Sequence, residues 1–126
     1  FSDVPDKAIS LINLSSVDDL STKTKTKIDH GRFRGNIYFT GNKPWQEFNW
    51  IDSRLRIGEV IFHVFKRIKR CAATNVNPFS AIRDINIPTE IKKHYQHTDL
   101  GIYGIVKKGG VISVGDKIEL LCNKSY

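Results

Sequence analysis

Cys71 stands directly after Lys66, Arg67, Lys69 and Arg70, four cations within five residues. Neighbouring positive charge favours the thiolate over the thiol, and a thiolate is both a nucleophile at neutral pH and a soft ligand for soft metals. The stretch before these cations, Glu59 to Phe65, is the most apolar run in the chain. A small apolar residue closing a strand is therefore the competing reading of Cys71, because free cysteine is usually packing. His94 and His97 lie three apart, a spacing that places two metal ligands on one helix face, with no third ligand evident. His63, inside the apolar run, reads as a packed core histidine. Ser15 and Ser16 precede a helical pattern, where hydroxyls and exposed amides suit either a phosphate or plain capping.

These residues need elements to hold them. Ala8 to Leu14 is apolar with partial alternation and reads as a strand. A helix is expected from Ser16 to about Ile28, with Ser16 and Asp19 at the spacing of a capping box. Ile37 to Thr40 follows as a strand. Pro44 to Trp50 is an aromatic loop or short helix, and Arg54 to Gly58 is a strand with a glycine turn. Glu59 to Phe65 is apolar on both faces, as in a covered or closed sheet. Pro88 to His97 reads as a short helix with its proline in the first turn. Leu100–Val106, Val111–Val114 and Lys117–Leu121 read as three strands, split by turns at Lys107–Gly110 and Gly115–Asp116. Short curved strands with two short helices predict a mainly β, α+β fold closed or partly closed into a barrel.

The chain has 126 residues and a net charge of +7, one domain's length with a preference for anionic partners. No apolar run reaches the ~18 residues that span a bilayer. The amino end, Phe1 to Lys7, has no signal-peptide character, and the sequence contains no methionine, which suggests a trimmed piece of a longer product. Two cysteines without a secretory signal point to a reducing cytoplasm. The basic residues are scattered over several segments without a nucleic-acid-binding motif to organise them, so nucleic acid is only a minor partner class.

Five segments in order resemble the MOSC domain: Arg32-Phe33-Arg34-Gly35-Asn36-Ile37, Leu55-Arg56-Ile57-Gly58, Arg70-Cys71 with Thr74, Val76 and Pro78, Gly101-Ile102-Tyr103, and Val114-Gly115-Asp116. That domain forms the carboxyl end of molybdenum cofactor sulfurases and occurs in the mitochondrial amidoxime-reducing component. The resemblance runs from about Ala8 to Leu121 and implies a MOSC-type barrel over residues 1–126, lacking a preceding amino-terminal segment. It also implies molybdenum cofactor (molybdopterin) as ligand. Cys71 matches the cysteine whose sulfur coordinates molybdenum in the reductases or is proposed to carry sulfur in the sulfurases. Arg70 and Arg34 match contacts to the anionic cofactor. Ser15 and Ser16 fall where relatives place small polar residues on the phosphate end of the pterin, Tyr103 matches an aromatic position near the cofactor, and Asn36 and Thr74 are implied supports. The chain departs from the family at Gly35, where Pro is common, at Ile68 and Lys69, where a cysteine or proline is common, and at Asn77, where Asp is common.

The expected function is thus a molybdenum-cofactor domain, acting either as an oxidoreductase of N-hydroxylated compounds or as a carrier of sulfurated cofactor. The first requires an electron-transfer protein, since no flavin or haem motif is visible. The second requires an external cysteine desulfurase, since no pyridoxal-phosphate lysine motif is present. Two alternatives stand beside it: a non-catalytic basic β-barrel that binds nucleic acid or another phosphorylated ligand, and a structural domain in which Cys71 only packs.

Overall fold

β1 (Ala8–Asn13) sends alternate side chains to opposite faces, and the two faces become two cores. Leu11 joins Phe39, Trp50, Leu55, Ile57, Val60, Phe62, Val64 and Ile102. Ile12, one residue on, joins Val17, Leu20, Ile28, Phe33, Ile68, Ile87, Ile91 and Leu100. The computed structural model describes residues 7–80 and 82–122; the amino end read above from Phe1 to Asp6 lies outside them.

The chain continues through α1 (Leu14–Thr24), β2 (Ile37–Phe39), β3 (Arg54–Ile57), β4 (Val60–Lys69), α2 (Ile87–Tyr95), β5 (Asp99–Lys108) and β6 (Ile118–Cys122). Three 3-10 turns punctuate it at His30–Phe33, Gln46–Trp50 and Ala72–Asn75. The six strands form one sheet in the order β2-β1-β5-β4-β3-β6. β1 and β2 are parallel, joined across α1, and every other pair is antiparallel. Among the described residues the sheet is a half-barrel with β2 and β6 as its edge strands, so the expected barrel is only partly closed.

β4 shows how the sheet is turned. Val64 pairs with Gly104, but Lys66 pairs with Tyr103, a register shift that places an extra residue on β4. Such a bulge swaps the faces of everything that follows. Phe62 and Val64 therefore enter the first core while Ile68, of the same parity, enters the second beneath α2.

Three expectations are corrected. α1 is capped by Asn13, whose side chain accepts from the Ser15 amide, so Ser16 and Asp19 form no capping box. α1 ends at Thr24 instead of about Ile28, because Lys25 takes a left-handed conformation (φ 56°) and closes the last turn onto Ser21 and Thr22. Val111–Val114 is not a strand: Val111 and Val114 are exposed, and the Val111 carbonyl and amide are tied to the Glu59 amide and carboxylate. Among the described residues, no helix is long and apolar enough to cross a membrane.

Candidate functional site

β1 ends, β4 ends and β5 begins at the same margin of the sheet. Arg70 extends the β4–β5 ladder by one bond, its amide donating to the Thr98 carbonyl at 2.8 Å. Its guanidinium turns back into the protein, where Nε donates to the Leu100 carbonyl at 2.9 Å and Nη1 to the Phe33 carbonyl at 3.0 Å. The group lies 5.2 Å from the Phe33 ring centroid. Burial lowers its pKa to about 10, against the opposing influence of Tyr103, Cys71 and Tyr38, so it stays charged at neutral pH. Nη2 is buried and has no partner among the described residues.

The backbone beside this nitrogen is Gly101, at φ +89°. A Cβ there would stand 2.7 Å from Ile12 Cδ1, 3.1 Å from the Leu11 carbonyl oxygen and 3.2 Å from Arg70 Nη2. Glycine is thus required both by the backbone conformation and by the room the guanidinium needs.

Cys71 follows in extended conformation and is exposed. The chain then folds under it: the Thr74 hydroxyl and amide both donate to the Cys71 carbonyl, at 2.7 and 3.1 Å. Asn75 accepts from the Ile87 amide at 2.7 Å and so ties this turn to the start of α2. Buried Arg32 holds the turn from the other side, Nη1 donating to the Thr74 and Asn75 carbonyls at 3.3 and 3.2 Å. Its Nη2 pairs with Asp84, which lowers that carboxyl's pKa together with the Asn77 amide. Beyond the turn, Val76 pairs with Arg83 and the Asn77 amide with the Ile82 carbonyl, and Phe79 projects into solvent between them.

The structure thus brings Arg70, Cys71, Thr74 and Tyr103 to one place, with Tyr103 half-buried and stacked on Phe65. Arg34 is exposed in a left-handed conformation (φ 50°) after the His30–Phe33 turn. Asn36 supports the framework: its side-chain oxygen accepts from the Ser10 amide and hydroxyl, prolonging the β1–β2 pairing. Ser15 spends its amide on Asn13. Ser16, which the resemblance places at the phosphate end, has its hydroxyl engaged within the protein. It is fully buried, donating its hydroxyl to Glu47 and accepting from the Trp45 amide.

Sequence reading missed Arg32, Asn13 and Glu47. Glu47 is fully buried, where desolvation raises its pKa against hydrogen bonds from Asn13, its own backbone and Ser16. A carboxylate in an aromatic segment between two tryptophans was the available signal. His97 Nδ1 accepts from the Asp99 amide, and its ring packs on Trp45, Phe48 and Tyr95. His94 faces Glu90. No three His, Cys, Asp or Glu side chains among the described residues converge on a metal position.

The donor set suits an anionic group carrying a metal that wants one protein sulfur: an exposed thiol, a charged guanidinium with an unused nitrogen, and a glycine that leaves that nitrogen clear. The family model of the MOSC domain matches residues 1–119. Mitochondrial amidoxime reducing component 2 of Bos taurus is 30% identical over 122 residues, covering 87% of this chain and 36% of that protein. Molybdenum cofactor sulfurase of Oryza sativa subsp. japonica is 34% identical over 76 residues, 53% of this chain and 9% of that protein. The crystal structure of YiiM from Geobacillus stearothermophilus superposes with a TM-score of 0.69 at 16% identity, over 90% of this chain and 53% of that one, a likeness of fold. The chain spans about a third of the length of the amidoxime reducing components it matches.

Proposed function

The chain belongs to the MOSC domain family, and from that premise we propose that it binds molybdenum cofactor at the Arg70–Gly101 corner with Cys71 as the protein's ligand to the metal. The observation that carries this reading is the buried, unpartnered Nη2 of Arg70 next to an exposed thiol. A buried charged donor left without a partner is costly, and an anion would satisfy it. Arg34, exposed at the same 3-10 turn that supplies the Phe33 carbonyl, adds a second guanidinium for the anionic end. Tyr103, close to Arg70, lies near the cofactor in this reading, and Thr74 and Asn36 hold the backbone that positions these groups.

The molybdenum centre, when bound, would supply two-electron redox chemistry; the chain's own work is to hold and orient it. Arg70, fixed by two carbonyls, keeps its third nitrogen in reserve beside Gly101, to be reached by the anion once the side chains covering it shift. The Cys71 carbonyl, held by Thr74, fixes the backbone from which the thiol projects. We assign the activity to reduction of N-hydroxylated compounds, since the relatives that cover most of the chain are named for amidoxime reduction. An electron-transfer protein is then the partner. The sulfurated-cofactor carrier is the second reading, favoured by the sulfurase match across a shorter stretch; it would need a cysteine desulfurase. A reducing cytoplasm is the proposed setting, because it keeps Cys71 a free thiol.

The test is metal and pterin analysis of protein made in a host that synthesises the cofactor, wild type beside Cys71→Ser. Near-stoichiometric molybdenum in wild type and its loss in the variant are expected. Equal molybdenum in both would remove Cys71 from the site. No metal in either would reject the assignment.

A further inference from the structure

Arg34 is a non-glycine residue in the left-handed region (φ 50°, ψ 51°), a conformation that persists only where its surroundings over-determine it. Its two peptide planes are held by different partners. The plane before it is fixed by Arg70, whose Nη1 donates to the Phe33 carbonyl at 3.0 Å, and by the Arg34 amide, which donates to the Gly31 carbonyl at 3.2 Å. The plane after it is fixed by Tyr38. There the Gly35 amide donates to the Tyr38 hydroxyl at 2.8 Å, while the Arg34 carbonyl receives a long bond from the Ser10 hydroxyl at 3.5 Å. Tyr38 is itself packed in place, with His30 edge-on against its ring at 4.7 Å between centroids. A Cβ on Gly35 would stand 3.2 Å from Tyr38 Cζ and collide with Ile12 Cγ1. Ile12 is the register partner of Tyr38 on β1, and its Cδ1 reaches Gly101 beside Arg70 Nη2. The Tyr38 hydroxyl and the Arg70 guanidinium are thus set against one framework.

We propose that Tyr38 is a positioning residue of the anion site, its hydroxyl fixing the peptide plane from which Arg34 projects and so aiming that guanidinium at the anion shared with Arg70. The proposal rests on the cofactor reading, in which both arginines serve the anionic end. With one anchored plane on each side, the Arg34 backbone is held while its side chain stays exposed. The guanidinium then searches fewer positions, and less ordering is left for the ligand to impose. Tyr38 acts through Arg34 and needs no contact with the ligand.

The experiment is a double-mutant cycle on the full chain, titrated with pyrophosphate and followed by NMR on the Arg70 Nε–H signal, which all four proteins keep. Arg34→Met is expected to raise the Kd about tenfold, the loss of one charge-assisted bond. Tyr38→Phe keeps the ring and should raise it about fivefold in the wild-type background, but less than about twofold beside Arg34→Met, because residues that act through one another are not additive. Equal losses in both backgrounds would make Tyr38 independent of Arg34 and overturn the proposal, as would an unchanged Kd in Tyr38→Phe. An Arg70 signal that pyrophosphate leaves unmoved in the wild type would overturn it too, since no anion then meets the pair. A second readout needs no ligand: the Gly35 amide should exchange with solvent faster in Tyr38→Phe, and undiminished protection would contradict the proposed latch. Molybdenum and pterin content enter none of these readings, so their absence would sink the cofactor reading and leave the link between Tyr38 and Arg34 to this cycle.

Discussion

Arg32 reaches across 42 positions of sequence to donate to the carbonyl of Thr74, at 3.3 Å, from a side chain that is almost wholly buried. Of the two guanidiniums in Arg32-Phe33-Arg34, this one builds the turn behind Cys71, and Arg34 is left on the surface. The two should separate cleanly on mutation. Arg32→Met is expected to lower stability to urea by about 2–3 kcal/mol, because the Thr74 and Asn75 carbonyls lose a buried donor. Arg34→Met should change stability by less than about 0.5 kcal/mol and lower the molybdenum and pterin content. Equal losses of stability in both would contradict the division of roles.

Gly101→Ala is expected to destabilise the fold by about 1–3 kcal/mol, since the site combines a left-handed backbone with contacts to Ile12 and the Leu11 carbonyl. The added methyl also presses on Arg70 Nη2, so cofactor content should fall further than stability alone explains. Gly41→Ala is the control. It too has positive φ, but nothing lies within 4 Å, so it reports backbone strain without the crowding. Urea midpoints and metal analysis of the two variants, side by side, test this.

Arg70→Lys keeps the charge and loses the fork. An ammonium cannot satisfy the Leu100 and Phe33 carbonyls while offering a third donor in the same plane. The expected outcome is a folded protein, slightly less stable, with molybdenum content reduced about tenfold, the scale on which changes beside a metal site act. Retention of wild-type content would show that the charge alone suffices.

Acid should weaken the fold through Asp19. Burial pushes its pKa up, but hydrogen bonds from Tyr95 and Trp45 and the charge of Lys23 outweigh it and leave the pKa lowered. A depressed carboxyl adds stability that is complete above its unfolded value of about 3.9 and is lost as pH falls through the folded value. Asp19→Asn should therefore flatten the loss of stability below about pH 4, as followed by urea midpoints against pH.

Glu47 carries the opposite sign. Its raised pKa means that the folded state holds a proton more tightly than the unfolded chain, so its contribution declines as pH rises through the folded value. The stability of Glu47→Gln relative to wild type should shift in favour of glutamine as pH rises above the ordinary glutamate value of about 4.3. A difference that stays constant as pH rises past that value would mean that Glu47 titrates alike in both states.

Much of the sheet was legible because its strands carry their own pattern. Arg54–Ile57 alternates, and β5 and β6 were found to within a few residues. Val111–Val114 failed because β-branched residues mark a strand only when something pairs with them, and here Glu59 takes the backbone bonds instead. The site divided in the same way. Cys71 and Arg70 stand out as a local charge pattern, whereas the burial of Ser16 depends on Glu47, 31 residues away, which no local pattern announces. Arg32 and Arg34 cannot be told apart by type, since which one turns inward is set by the 3-10 turn at His30–Phe33.

The excursion beyond Cys71 closes at its base, where Val76 pairs with Arg83 and Asn77 with Ile82, leaving Phe79 outermost. A loop stapled at its feet can be lengthened at the tip for a cost that grows only with the logarithm of its length. An epitope or dye-bearing peptide spliced between Phe79 and Ser80 would ride outside the sheet, while Arg70 and Thr74 keep the thiol in place. That tip is a handle by which the protein can be tethered to a surface or an electrode with Cys71 left untouched.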